Sequence, residues 1–141
     1  MRYHLDDPYK VLTESGLPYV ATERFALDQL LGRQVKNIDQ YVVYIRTEDQ
    51  DRWKGYLRDR ATEVDSLANL FLYLRDDDKL FQNGPVVPIE ILARDIARMA
   101  PRYFTRHHKE ISEKAPAFYA KILELYPSDS LNLPDNALKV A

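Results

Sequence analysis

With 141 residues, 30 % of them charged and a formal net charge of −2, the chain is one ordinary domain, long enough to bury roughly 68 % of the surface its unfolded form exposes. It contains no cysteine, which excludes disulfide frameworks, thiolate metal centres and cysteine nucleophiles. The near-neutral charge gives neither the positive field of a nucleic-acid coat nor the negative field of a DNA mimic.

Along the chain, helix signals dominate. Asp7 followed by Pro8 opens a helix over about 8–15, with Gly16 and Pro18 as the stop. Thr22 caps a second, and Gly32 ends it. Over 35–46 the strand-favouring types of Tyr41 to Ile45 compete with the spacing of Val35, Ile38, Val42 and Ile45, which lines one helical face; the spacing predicts a helix. Thr47 and Gln50 form a capping-box pattern for a helix carrying Trp53, Tyr56, Leu57, Ala61 and Val64.

The stretch 66–81 is apolar nearly all round over Leu67 to Leu74, as a central helix of a bundle would be. Two prolines in 85–89 argue against a ladder strand there. Pro88 opens a helix with Ile89, Leu92, Ile96 and Ala100 on one stripe, Pro101 interrupts it, and Pro116 opens a further helix that Pro127 stops. The predicted fold is all-α: a compact single-domain helical bundle of about six to seven helices over 1–127, with an irregular tail, 128–141, packed on the domain or on a partner.

The chemistry of sites is mostly absent. Four isolated glycines leave no phosphate-cradling loop, and there is no G-x-S-x-G or H-E-x-x-H pattern. His107 and Glu110 are three apart, the nearest approach to an acid–base or metal pair, but a helical wheel places His107 inward with Tyr103, Phe104 and Ile111. Asp76, Asp77 and Asp78 lack the glycine and terminal glutamate of a calcium loop and read as a solvated junction. No catalytic residue, metal ligand or cofactor is expected. Tyr3, Tyr9, Tyr19, Tyr41 and Tyr44 are hard to bury together and suggest an aromatic patch in the N-terminal third.

The sharpest local feature is the four-residue beat Arg94, Arg98, Arg102, Arg106. Residues 94–109 hold five basic side chains and one acid. Local acids answer three of the four arginines: Glu90 for Arg94, Asp95 for Arg98 and Glu110 for Arg106. Arg102 has none. With Arg98, Arg106 and the outward-leaning His108 it forms the predicted partner-binding surface. A chain of this kind is expected to be a non-enzymatic protein–protein interaction module: an adaptor, assembly subunit, inhibitor or regulator, of phage or mobile-element origin. The alternative is a nucleic-acid-binding helical protein, and a more distant one an enzyme using His107 and Glu110. The N-terminus lacks a basic start followed by an apolar run, and the longest apolar run, Leu70 to Leu74, is far short of the eighteen or so residues a span requires. A cytoplasmic location follows as the expectation.

Overall fold

The computed structural model describes residues 1–32, 38–82, 84–127, 131 and 133. Its centre is a five-stranded mixed sheet of β1 (Arg2–His4), β2 (Val20–Thr22), β3 (Tyr41–Ile45), β4 (Thr62–Glu63) and β5 (Leu70–Leu74), in the order β2-β3-β5-β1-β4. Around it run α1 (Pro8–Thr13), α2 (Glu23–Leu30), α3 (Gln50–Leu57), α4 (Ile89–Met99), α5 (Pro101–Arg106), α6 (His108–Lys114) and α7 (Pro116–Leu125). The fold is α/β, so both the all-α class and the helical bundle are corrected.

The error lies in two segments. The helices predicted over 35–46 and 66–81 are replaced by β3 and β5, which pair in parallel from Tyr41 opposite Leu70 to Ile45 opposite Leu74. Each has strand neighbours on both sides. Val42 and Val43 point to opposite faces, yet they are only 5 % and 0 % exposed, so no polar alternation marks the strand. The spacing of Ile38, Val42 and Ile45 is therefore a coincidence of a doubly covered strand; Val35 lies outside the described residues. Parallel neighbours need a crossover, and α3 with β4 provides it between Ile45 and Leu70.

The capping box at Thr47 does not form. Its amide and hydroxyl both donate to Asp76, at 3.0 and 2.7 Å, and α3 ends at Leu57, leaving Ala61 and Val64 outside it. Nor do the prolines of 85–89 keep that segment off the sheet. The Ala21 amide donates to the Pro85 carbonyl at 2.7 Å and the Val87 amide donates to the Ala21 carbonyl at 3.0 Å. Pro85 contributes only its carbonyl, so its missing N–H costs nothing.

Elsewhere local chemistry and structure agree. The Asp7 carboxylate accepts the Lys10 amide at 3.1 Å and Pro8 stands at the start of α1. Prolines 101 and 116 open α5 and α7. Thr22 precedes α2, but its hydroxyl donates to Asp95 at 3.1 Å instead of capping the helix. In the tail, Leu131 and Leu133 are buried, and the Thr105 hydroxyl donates to the Leu131 carbonyl.

Residues opposite one another in register share a face. Tyr3, Tyr41, Val43, Ile45, Leu70 and Leu72 form the inner face, each 5 % exposed or less, and join Leu12, Phe25, Trp53, Leu57, Leu92, Phe118 and Ile122 from the helices in one core. The fully buried Trp53 donates its indole N–H to the Pro18 carbonyl at 3.1 Å, so the largest apolar side chain is satisfied as well as packed.

Candidate functional site

The opposite face of the sheet carries Arg2 opposite Phe71 on β1 and β5, Tyr44 opposite Tyr73 on β3 and β5, and Val42 opposite Phe71. Val42, Phe71 and Tyr73 are not among the residues of the main core. Tyr73 is 40 % exposed, an unusual level for a large aromatic on a central strand. Strand alternation makes Phe71 and Tyr73 neighbours on one surface, and their rings lie 6.4 Å apart at 17°, close to parallel. Tyr44 meets Tyr73 edge-on at 6.5 Å.

Arginine accompanies these rings. The Arg75 guanidinium lies 5.1 Å from the Tyr44 ring centroid and 6.0 Å from that of Tyr73, within the range of a cation–π contact. Arg75 and Arg2 are exposed and donate only to carbonyls, those of Leu74 and Asp65, among the described residues. Towards β2 the face continues into α4. Burial raises the Tyr44 hydroxyl pKa, Asp95 raises it further, and Arg75 and Thr22 partly offset both. Asp95 in turn pairs with Arg98 at 3.7 Å, so Arg98 stands at the margin of the aromatic face.

The predicted site residues separate. Arg98, Arg102 and Arg106 are all exposed. Arg102 has no ion-pair partner among the described residues, as its sequence neighbours imply, but Arg106 also lacks one, so the anticipated pair with Glu110 is absent. His108 is the clear displacement: it is 8 % exposed, with Nδ1 buried and, among the described residues, without a hydrogen-bond partner. His107 is half-buried, its ring 4.5 Å from that of Tyr103. The wheel fails because the helix is broken. His107 has φ −110° and ψ 19° between α5 and α6, and a constant 100° per residue cannot be carried across that break.

Asp76 accepts both Thr47 donors, and these hold its carboxyl below the usual carboxylate range. Asp78 pairs with Arg46 at 2.7 Å, and Asp77 accepts the Lys79 amide at 3.0 Å. The acidic triplet is thus spent on local contacts. Among the described residues no group of three or more histidines and carboxylates is placed to hold a metal ion, and no helix is long and apolar enough to cross a membrane.

A concavity of about 330 Å³ lies between the start of α2 and the α4–α5 junction, lined by Glu23, Arg24, Ile38, Ile96, Met99 and Tyr103, among others. The Arg24 guanidinium sits 4.4 Å from the Tyr103 ring centroid. The Tyr103 hydroxyl donates to Asp28, only 4 % exposed, at 2.5 Å.

Reading 66–81 as helix hid the aromatic face by sending Phe71 and Tyr73 into a bundle core. The signal that would have found it is the alternation Phe71, Tyr73, Arg75 against Leu70, Leu72, Leu74, a period of two. Of the predicted N-terminal aromatic patch, Tyr3 and Tyr41 are buried, and Tyr44 joins the open face. Comparisons with protein-family models, with curated proteins and with solved structures return no match.

Proposed function

We propose that the chain is a non-enzymatic docking module that seats an acidic protein partner on the open face of its sheet, in a cytoplasmic setting. The observation that carries this reading is the exposed Tyr73, its ring nearly parallel to that of the half-buried Phe71, with Arg75 across Tyr44 and Tyr73. Tyrosine, phenylalanine and arginine are the types enriched at the centres of protein interfaces, and a rigid strand presents them at little entropic cost. Arg2 and Arg98 flank the rings, with Arg102 and Arg106 following on α5, and these cations supply the attraction for an acidic surface.

A stacked aromatic pair beside arginines also suits single-stranded nucleic acid, where rings stack on bases and cations meet phosphates. Charge disfavours the nucleic acid more strongly, because its backbone carries a negative charge at every nucleotide whereas an acidic protein surface carries far fewer. Glu23 and Asp95 stand at the same margin as Arg98, and the chain as a whole carries −2. Tyr73→Glu and Arg102→Glu each change exposed positions and should leave stability within about 0.5–1.5 kcal/mol of wild type.

The test is affinity capture with the wild type and both variants in parallel, followed by titration of the purified partner. Tyr73→Glu should abolish a partner interaction and Arg102→Glu should weaken it. Retention of the same partner by Tyr73→Glu, or binding of oligothymidylate at physiological salt with no protein partner, overturns the reading.

A further inference from the structure

We infer that the cleft between α2 and the α4–α5 junction is a binding site for a small zwitterion with an apolar side chain, an α-amino acid in chemical class. It is separate from the docking reading and stands on its own geometry. The cleft's volume of about 330 Å³ is at the lower end of the roughly 300–1,000 Å³ typical of small-molecule pockets.

Its charges come in both signs and are not matched to one another. Arg24 is half-buried, its Nε is buried without a hydrogen-bond partner, and its guanidinium has only the face of Tyr103 as a described contact. A cation withdrawn from water in this way lacks, among the described residues, the paired anion that would compensate its desolvation. Tyr103 is held under it by the hydroxyl bond to Asp28, so the guanidinium is positioned before any ligand arrives.

The acidic residues Glu23 and Asp39 line the same cleft. Glu23 is the first residue of α2 and holds φ +56°, a left-handed conformation that a non-glycine residue rarely adopts and that collects at functional sites. Burial, then Asp95, raise its carboxyl above the usual range, with Arg98 opposing. Glu23 and Arg24 form no ion pair with each other among the described residues. Ile38, Ile96 and Met99 complete the lining with an apolar surface open at Met99, which is 53 % exposed.

A simple anion would meet Arg24 but face two carboxylates. A simple amine would meet the carboxylates but leave Arg24 as it is. A zwitterion serves both: its carboxylate accepts from Arg24, its ammonium donates to Glu23 and Asp39, and its side chain covers Ile96 and Met99.

The experiment is isothermal titration of the full chain with L-leucine, L-leucinamide and 4-methylpentanoate. Leucinamide lacks the carboxylate and 4-methylpentanoate lacks the ammonium. Leucine should bind, and each analogue should bind at least about tenfold more weakly, a loss of about 1.4 kcal/mol. Arg24→Gln should reduce leucine affinity by at least about tenfold as well. Should that variant fail to fold, Asp39→Asn, at an exposed position, gives the second reading: a loss of affinity with unchanged circular dichroism supports the site. No saturable binding of leucine at about 10 mM, an analogue that binds as tightly as leucine, or undiminished affinity in folded Arg24→Gln or Asp39→Asn overturns it.

Discussion

Leu72 and Tyr73 are adjacent on β5 yet face opposite sides of the sheet, and substituting each by threonine measures that difference directly. Leu72 is fully buried against the helices. Leu72→Thr removes roughly two methylenes' worth of apolar burial, about 1.6 kcal/mol. It also leaves a hydroxyl among apolar neighbours, a further cost of about 1–3 kcal/mol. The sum is about 2.6–4.6 kcal/mol, a large part of the roughly 5–15 kcal/mol that holds a domain together. Tyr73 already has 40 % of its surface in water, and threonine keeps a β-branched strand former at the site. Tyr73→Thr should cost less than about 1.5 kcal/mol, because solvent fills the space the ring leaves. Urea unfolding of both variants, with the slope checked for constancy, gives the comparison. Equal losses, or a larger loss at Tyr73, would refute the assignment of the two side chains to opposite faces.

Two further expectations concern buried polar groups. Tyr103→Phe deletes the hydroxyl that donates to the 4 %-exposed Asp28 carboxylate and should cost about 1.5–3 kcal/mol in thermal or urea unfolding; a change under about 0.5 kcal/mol would show that this bond adds nothing. Glu23 has a folded-state pKa above its unfolded value, chiefly through burial. The native state therefore holds its proton over a window where the unfolded state has lost it, so its contribution is favourable at acid pH and is lost as pH rises through the folded pKa. Glu23→Gln should stabilise the protein at neutral pH and flatten its pH dependence just above the ordinary glutamate range. Equal stability of the two proteins across pH 4–8 would contradict the burial of that carboxyl.

Helix boundaries were legible wherever proline and a cap coincide, as at Asp7 and Pro8, Pro101 and Pro116. These are local rules, satisfied by two or three adjacent residues. The two central strands were not legible, because their apolar character comes from neighbours distant in sequence. Val42 is nearly buried on the outer face beside Phe71 and Thr22, while Val43 is buried on the inner one. β3, covered on both sides, carries no polar alternation, and β5 alternates only between leucines and aromatics, so the shortness of each run was the better guide. The site suffered in turn. Arg98, Arg102 and Arg106 are exposed as their spacing implies, but His108 turns inward beside the half-buried His107, across a backbone break that no residue type announces.

The segment around Val86 bears on how this sheet avoids its own kind. β2 would otherwise be an outer strand beside the apolar β3, with backbone groups ready to recruit another chain. Instead Pro85 and Val87 take both bonds of Ala21, and Pro85 and Pro88, having no N–H, cannot extend the ladder outward through their own amides. At the far margin β4 is two residues long, and both are exposed and polar. Growth by strand addition is thereby discouraged from either side, which leaves the strongly cohesive β3 and β5 at the interior of a closed count. In a crowded solution such a molecule would meet others through the side chains it displays on its open face, rather than through its backbone.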